Sequence, residues 1–392
     1  MIEILKLDHQ GRGIGKLNNK IVFVPNTLPG EIIEIEIIQE KKNYIEGKVK
    51  KYIKTSKKRI KPPCPYYNLC GGCNLMHMNY QDQLEYKQQK IENIIHKYTS
   101  QNIKINKIIP SSNIYNYRNK ITLHIKDKIG LYEDNSNNII EIEKCLLADN
   151  KINNILQELK SKELQEDEIV IRSSYNDSLI YYQNKNNLLN NIKCPNIINK
   201  SILIKGNNYI IEKLKDYKFI ISPTSFFQVN TRQTINLYEK IKELAHLNKN
   251  NIILDLYCGT GTIGLYLSKE CKEILGVELN EDAIKDANKN KKLNNINNAK
   301  FIVGDAKQII KKLNYKPDII IVDPPRSGLF KGMINDLIKF KANKIIYVSC
   351  NPLTLSRDLK ELINPYKIEQ IQPLDLFPNT YHVECICLLT KQ

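Results

Sequence analysis

"NIILDLYCGTGTIGLYLSKE", residues 251–270, decides the fold. An apolar, β-branched run from Ile252 to Leu256 reads as a buried strand. It breaks at Tyr257 and Cys258, and Gly259, Gly261 and Gly264 follow in a G-x-G-x-x-G spacing that opens a helix. Glycines at such a turn let the backbone approach a ligand closely. Strand and helix patterns then alternate: "EILGVELN", "EDAIKDANKNKKLN", "AKFIVGDA", "KQIIKKL", "DIIIVDPP", "KIIYVSC", then a helix opening near Pro352. This alternation predicts a doubly wound α/β sheet. "KIEQIQPLDLF" and "HVECICLLTK" bring the count to seven strands, with no helix between the last two. The final strand is therefore expected to run antiparallel to its neighbours.

Moving outward, the pattern changes. Residues 1–55 alternate short β-like runs with Gly- and Asn-bearing turns, as in a small all-β barrel. Residues 79–97 read as a helix, and 115–220 as a mixed, strand-rich segment with Asn-rich loops. Within it, 176–193 is low in complexity and reads as loop and edge strand. The expected organisation is an OB-like β-barrel over 1–58, a central mixed domain over 59–220 and a Rossmann-like α/β domain over 221–392.

The 392 residues carry 59 basic and 42 acidic side chains, a net charge of +17. That excess points to a polyanionic partner, nucleic acid before an anionic membrane. Residues 41–61 hold ten basic residues and one acid, Glu46. This run reads either as a solvated linker or as a phosphate-tracking tail. No apolar run is long enough to span a bilayer, and the N-terminus lacks the shape of a signal peptide. The expected location is the cytoplasm, where the ten cysteines would be ligands, reactive thiols or packing residues rather than disulfides. Cys64, Cys70 and Cys73 form C-x5-C-x2-C, and Cys145 offers a fourth ligand. On spacing, zinc and an iron–sulfur cluster fit equally. His77 reads as a packing or RNA-facing residue. Cys194, Cys258, Cys271, Cys385 and Cys387 read as packing residues.

The glycine motif alone also suits a nicotinamide enzyme. Asp255 within the motif and "DPPR", Asp323 to Arg326, favour S-adenosylmethionine. Glu278 ends the next strand, where a carboxylate can accept hydrogen bonds from ribose hydroxyls.

"DLYCGTGTIGL", "VELN", "GDA", "VDPPRSGL", "VSCNP" and "FPNTYHVECICLL", in this order and with "FFQVN" (226–230) ahead of them, resemble the RNA 5-methyluridine methyltransferase family. The resemblance runs through essentially the whole chain. "VSCNP" and "HVEC" are specific to it; the glycine motif is not. It implies that Gln228, Tyr257, Thr262, Glu278, Asp305 and Asp323 line an S-adenosylmethionine pocket, with Thr262 and Asp305 standing where Asn is common in relatives. "CPYYNLCGGCNLMHM" resembles the 4Fe-4S segment of the family's ribosomal RNA branch, implying that Cys64, Cys70, Cys73 and Cys145 hold a structural cluster. The N-terminal segment resembles a TRAM domain. Large-subunit (23S) ribosomal RNA is the expected substrate, because the tRNA branch generally lacks both features. A monomer is expected.

The chemistry requires a thiol and a base. C5 of uracil is a poor nucleophile until a thiolate adds to C6, and the C5 proton must later be removed. Cys350, at a strand tip and at the mouth of a helix, whose N-terminus can lower a thiol pKa, suits the first role. Glu384 interrupts an apolar strand, where a carboxylate is costly unless used, and suits the second. His382, two residues away, is the alternative base if it shares a strand face with Glu384. Asp323 and Arg326 would hold the pyrimidine or its phosphate. An RNA-binding module with a disused catalytic domain and an exocyclic-nitrogen methyltransferase are the rival readings. The intact set Gln228, Asp323, Cys350 and Glu384 speaks against the first, and the thiol against the second.

Overall fold

The computed structural model describes residues 1–99, 103–184, 189 and 191–392. Six strands form the N-terminal sheet: β1 (Ile2–Glu3), β2 (Lys6–Leu7), β3 (Gly13–Leu17), β4 (Lys20–Val24), β5 (Ile32–Glu40) and β6 (Tyr44–Lys54). Their order is β1-β5-β6-β4-β3-β2. β1 pairs with β5 and β2 with β3, so one short segment bonds both ends of that order. Ile2, Ile4, Val22, Val24, Ile33 and Ile45 fill its core. Most of the basic run 41–61 is the strand β6, paired along β5, and not a linker.

A long helix follows, α1 (Tyr80–Thr99), then β7 (Lys120–Ile125), β8 (Ile129–Tyr132), β9 (Ile139–Glu141), α2 (Asn150–Lys160), β10 (Asp167–Ser173), β11 (Ser178–Tyr182), β12 (Asn196–Asn199) and β13 (Ile202–Lys205). The strands make a second sheet in the order β13-β12-β11-β10-β7-β8-β9. The expectation of loop and edge strand over 176–193 is corrected here. β11 lies inside the sheet, antiparallel to β10 and parallel to β12, with Leu179 and Ile180 fully buried. The rest of that segment falls partly outside the described residues. A hairpin, β14 (Ile210–Leu214) and β15 (Tyr217–Ile221), leads into α3 (Thr231–Ala245).

The remaining chain is β16 (Ile252–Leu256), α4 (Thr262–Leu267), β17 (Glu273–Glu278), α5 (Glu281–Leu293), β18 (Ala299–Val303), α6 (Ala306–Lys312), β19 (Ile319–Val322), α7 (Lys331–Lys339), β20 (Lys344–Ser349), α8 (Pro352–Leu362), β21 (Tyr366–Leu374) and β22 (Glu384–Lys391). The sheet order is β18-β17-β16-β19-β20-β22-β21. The first five strands are parallel, and β22 runs antiparallel to both neighbours. Strands buried on both faces should be apolar at every position, and the period of two divides them between two cores. Ile253, Ile321, Ile346 and Val348 face one core, while Leu254, Leu256, Ile320 and Tyr347 face the other.

Two segments from within 59–220 pack on this sheet. Leu84, Ile91 and Ile95 of α1 join the second core with Leu355 and Leu359 of α8. Residues 104–109 bond along β21, through Asn106 N to Ile371 O (2.9 Å), Ile109 N to Pro373 O (3.0 Å) and Ile371 N to Lys104 O (2.9 Å). Lys87 of α1 is fully buried, and its Nζ donates to Asp375 Oδ1 at 2.6 Å and Phe377 O at 3.0 Å. A buried charge is tolerated only when so paired.

Candidate active site

Parallel strands deliver their C-terminal residues to one edge of the sheet, and that is where the expected site residues fall. Tyr257 follows β16, Glu278 ends β17, Asp305 follows β18 and Asp323 follows β19, all half-buried. Thr262 opens α4, and Gln228 lies in the loop before α3, where its carbonyl accepts from Asn119 Nδ2 (3.1 Å).

The glycine turn is shaped by close approach. Gly261 has φ +76°, and a Cβ there would lie 2.7 Å from Phe301. Asp255 is completely buried, and its Oδ2 accepts from Gly264 N at 3.1 Å. Burial pushes its carboxyl up to about 7. Asp255 therefore ties the turn together from within. Glu278 Oε2 accepts from Gly259 N (3.1 Å) and Oε1 from Asn280 N (2.9 Å). An ionised carboxylate has about four acceptor positions, so two remain for ribose hydroxyls. Gly259, at φ +53°, has open space where a Cβ would be.

Cys350 lies one residue beyond β20. The β20–β22 register pairs Ser349 with Cys385. Continued by one step, it sets Cys350 opposite Glu384. Asp323 joins them from the adjacent strand. Burial pushes the Cys350 thiol up to about 11, and the Glu384 and Asp323 carboxylates add to the rise against Arg326. Desolvation and two nearby carboxyls thus move the thiol upward, the opposite direction from what a helix N-terminus can do. Burial and Asp323 likewise hold the Glu384 carboxyl well above its ordinary range, again opposed by Arg326.

His382 precedes β22 and so shares no strand face with Glu384, contrary to expectation. Its Nε2 lies 3.3 Å from Arg326 Nη2. Burial, then Arg326, Lys90, Lys87 and Arg118, lower its pKa to about 3. It is neutral at pH 7 and accepts from Arg326. Asn351 caps α8, and its Nδ2 donates to the Arg326 carbonyl (3.1 Å), which fixes the "DPPR" turn beside Cys350. One residue escaped the sequence reading. Tyr238 on α3 is buried, bonds Thr262 Oγ1 at 2.7 Å and feels the charges of Asp323 and Glu384. A lone tyrosine in an amphipathic helix carries no signal of this.

The match to known proteins follows the same edge. Residues 173–392 match the family described as tRNA (Uracil-5-)-methyltransferase, and residues 1–50 match the TRAM domain. The chain belongs to the tRNA (uracil-5-)-methyltransferase family. A Clostridium tetani protein named as an uncharacterized RNA methyltransferase is 38% identical over 97% of this chain and 94% of its own. A Staphylococcus aureus MSSA476 protein of the same designation is 35% identical over 98% and 96%. The crystal structure of Pyrococcus abyssi tRNA (uracil-54, C5)-methyltransferase with S-adenosyl-L-homocysteine is similar at a TM-score of 0.82 and 30% identity, covering 100% of both chains. This methyltransferase is thus an S-adenosylmethionine-dependent RNA-modifying enzyme. Among its described residues, no helix is long and apolar enough to cross a membrane.

Cys64, Cys70, Cys73 and Cys145 all line one cavity of about 380 Å³. Burial raises Cys73 most, and Cys145, Cys70 and Cys64 raise it further. Among the described residues, no three His, Cys, Asp or Glu side chains are arranged to hold a single metal ion. His77 is fully buried, with Nδ1 2.5 Å from Tyr67 OH, so it packs and does not face RNA. Cys194, Cys258, Cys271, Cys385 and Cys387 are buried.

Proposed function

We propose that this methyltransferase acts at C5 of a uridine in RNA through a transient bond between Cys350 and C6. The placement of Cys350 opposite Glu384 on paired strands, with Asp323 and Arg326 beside them, carries this reading. Bound S-adenosylmethionine would supply the methyl group as an electrophilic sulfonium. Gln228, Tyr257, Thr262, Glu278, Asp305 and Asp323 would hold it at the carboxyl edge of the sheet. Cys350 gives up its proton to water, and its sulfur bonds to C6. The C5–C6 π pair moves toward C5 and makes that carbon nucleophilic. Glu384 then takes the C5 proton from the methylated ring. The released C–H pair re-forms the double bond and expels the Cys350 sulfur. Once ionised, a desolvated Glu384 is a stronger base than an exposed carboxylate.

The substrate we propose is large-subunit ribosomal RNA in the cytoplasm, bound by a monomer, with the uridine flipped from its stack. The cysteine segment supports the ribosomal reading. A tRNA uridine is the second reading, favoured by the Pyrococcus abyssi enzyme, whose match leaves no segment of either chain uncovered. That match means the TRAM-like segment does not by itself separate the two substrates. Mass mapping of 5-methyluridine in ribosomal and transfer RNA, from cells with and without this protein, decides between them. Loss from large-subunit RNA is expected; loss from tRNA alone would install the second reading, and loss from neither would overturn both.

We also propose that Cys64, Cys70, Cys73 and Cys145 hold a 4Fe-4S cluster. Four thiols line one cavity, and four cysteine thiolates are the donor set of such a cluster. Its part would be structural, since no step above needs an electron. Protein purified without air is expected to contain iron and sulfide. Stoichiometric zinc without sulfide would overturn the assignment. Replacing any of the four should harm folding more than chemistry, because metal binding is coupled to folding.

A further inference from the structure

The loop from Asp375 to Val383 joins β21 to β22 and ends on Glu384. Its middle residue, Asn379, is 2% exposed and has φ +67°. Every polar group of Asn379 is bonded. Its N–H donates to Gln83 Oε1 (2.8 Å), and its Oδ1 accepts from Gln83 Nε2 (3.1 Å). Its Nδ2 donates to Ile114 O (2.8 Å). Its carbonyl accepts from Asn74 N (3.0 Å) and Leu75 N (3.1 Å), directly after Cys73. One residue thus ties the active-site loop to α1, to the segment before β7 and to the cysteine segment. Its neighbours are held from the same sides. Lys87 Nζ donates to Phe377 O, Tyr117 OH to Pro378 O (3.0 Å) and Lys90 Nζ to Tyr381 O (2.8 Å).

Nothing on this loop reacts except at its end. Yet Glu384 must reach one proton on one carbon, and small misplacements of such a group cost far more than the bonds that prevent them. Asn is well suited here: it tolerates a left-handed backbone and adds two side-chain bonds that glycine cannot make. From this geometry we infer that Asn379 is a positioning residue that fixes Glu384 for proton removal. The inference rests on the reading of Glu384 as the base.

The test uses the full chain, purified without air, and a uridine-containing RNA hairpin that the wild type methylates. Asn379→Gly keeps the backbone conformation and removes only the bonds to Gln83 Nε2 and Ile114. Rapid quenching and denaturing gels follow the protein–RNA adduct as it forms and decays. The expected result is adduct formation at the wild-type rate and decay slowed by about ten- to a hundredfold. Affinity for S-adenosylhomocysteine should be unchanged, and amide exchange over 376–383 faster. Gln83→Ala should reproduce this from the other side. Decay at the wild-type rate would overturn the inference, as would an equal loss in formation, decay and cofactor affinity, which marks general damage. If Glu384→Gln shows that Glu384 is not the base, amide exchange still decides the clamp. Unchanged exchange in Asn379→Gly then overturns it, and faster exchange upholds it.

Discussion

Cys350→Ala is expected to abolish methyl transfer, by at least about 10⁴-fold, as losing a covalent nucleophile does elsewhere. RNA affinity should stay close to that of the wild type, because phosphate contacts carry most of it and a neutral thiol makes none. The measurement is tritium release from RNA labelled at C5 of uridine, alongside a filter-binding titration. Release follows addition at C6, methylation at C5 and loss of the C5 hydrogen, so it reports the whole proposed sequence. Near-normal release by the variant would remove Cys350 from the role of nucleophile. The wild type should also show a rate that rises with pH across the neutral range. The thiol is pushed up to about 11 by burial, Glu384 and Asp323, so the nucleophilic thiolate becomes more abundant as pH increases.

Glu384→Gln should fail later. The amide still fills the site, so addition and methylation proceed, but it cannot take the C5 proton. A covalent adduct carrying the transferred methyl should accumulate as a slow band on a denaturing gel. Removing one carboxylate should also relieve the repulsion on Cys350, which speeds the step that forms the adduct. Normal turnover with nothing trapped would place the base elsewhere. His382 is poorly suited to take over, since burial and the surrounding cations lower its pKa to about 3, which makes it a weak base, and its Nε2 is engaged by Arg326. Absence of both turnover and adduct would instead mean that Glu384 orients the uracil before attack.

Much of this architecture is written locally. The run from Ile252 to Gly264 specifies strand, turn and helix within thirteen residues, and repeated β–α alternation predicts the parallel sheet and its antiparallel last strand. Glu384 could be singled out because a carboxylate in an apolar strand contradicts its surroundings. What stayed illegible is what depends on distant partners. Lys87 sits in a polar-looking helix, and nothing near it in sequence announces its partner Asp375, 288 positions away. Residues 104–109 carry too short a pattern to announce that they extend the sheet beside β21. Asn379 reads as an ordinary turn residue, since nothing in "FPNTY" shows the five bonds it makes. The rise in the Cys350 pKa is illegible for a related reason: the helix N-terminus is local and visible, whereas Asp323 and Glu384 arrive from other strands.

The docking of α1 on the far end of the chain has a consequence for synthesis on the ribosome. Lys87 and Asp375 are separated by 288 residues, which at ordinary elongation rates is roughly 15–60 s of translation. Through that interval the Leu84, Ile91 and Ile95 face of α1 has no α8 to cover it, and residues 104–109 have no β21 to join. The N-terminal sheet can form from its own contacts soon after it emerges. The catalytic sheet cannot be completed until β22 has been synthesised. A chain that stops early therefore carries a finished N-terminal sheet attached to a helix whose apolar face is uncovered, the kind of species that chaperones retain and proteases remove.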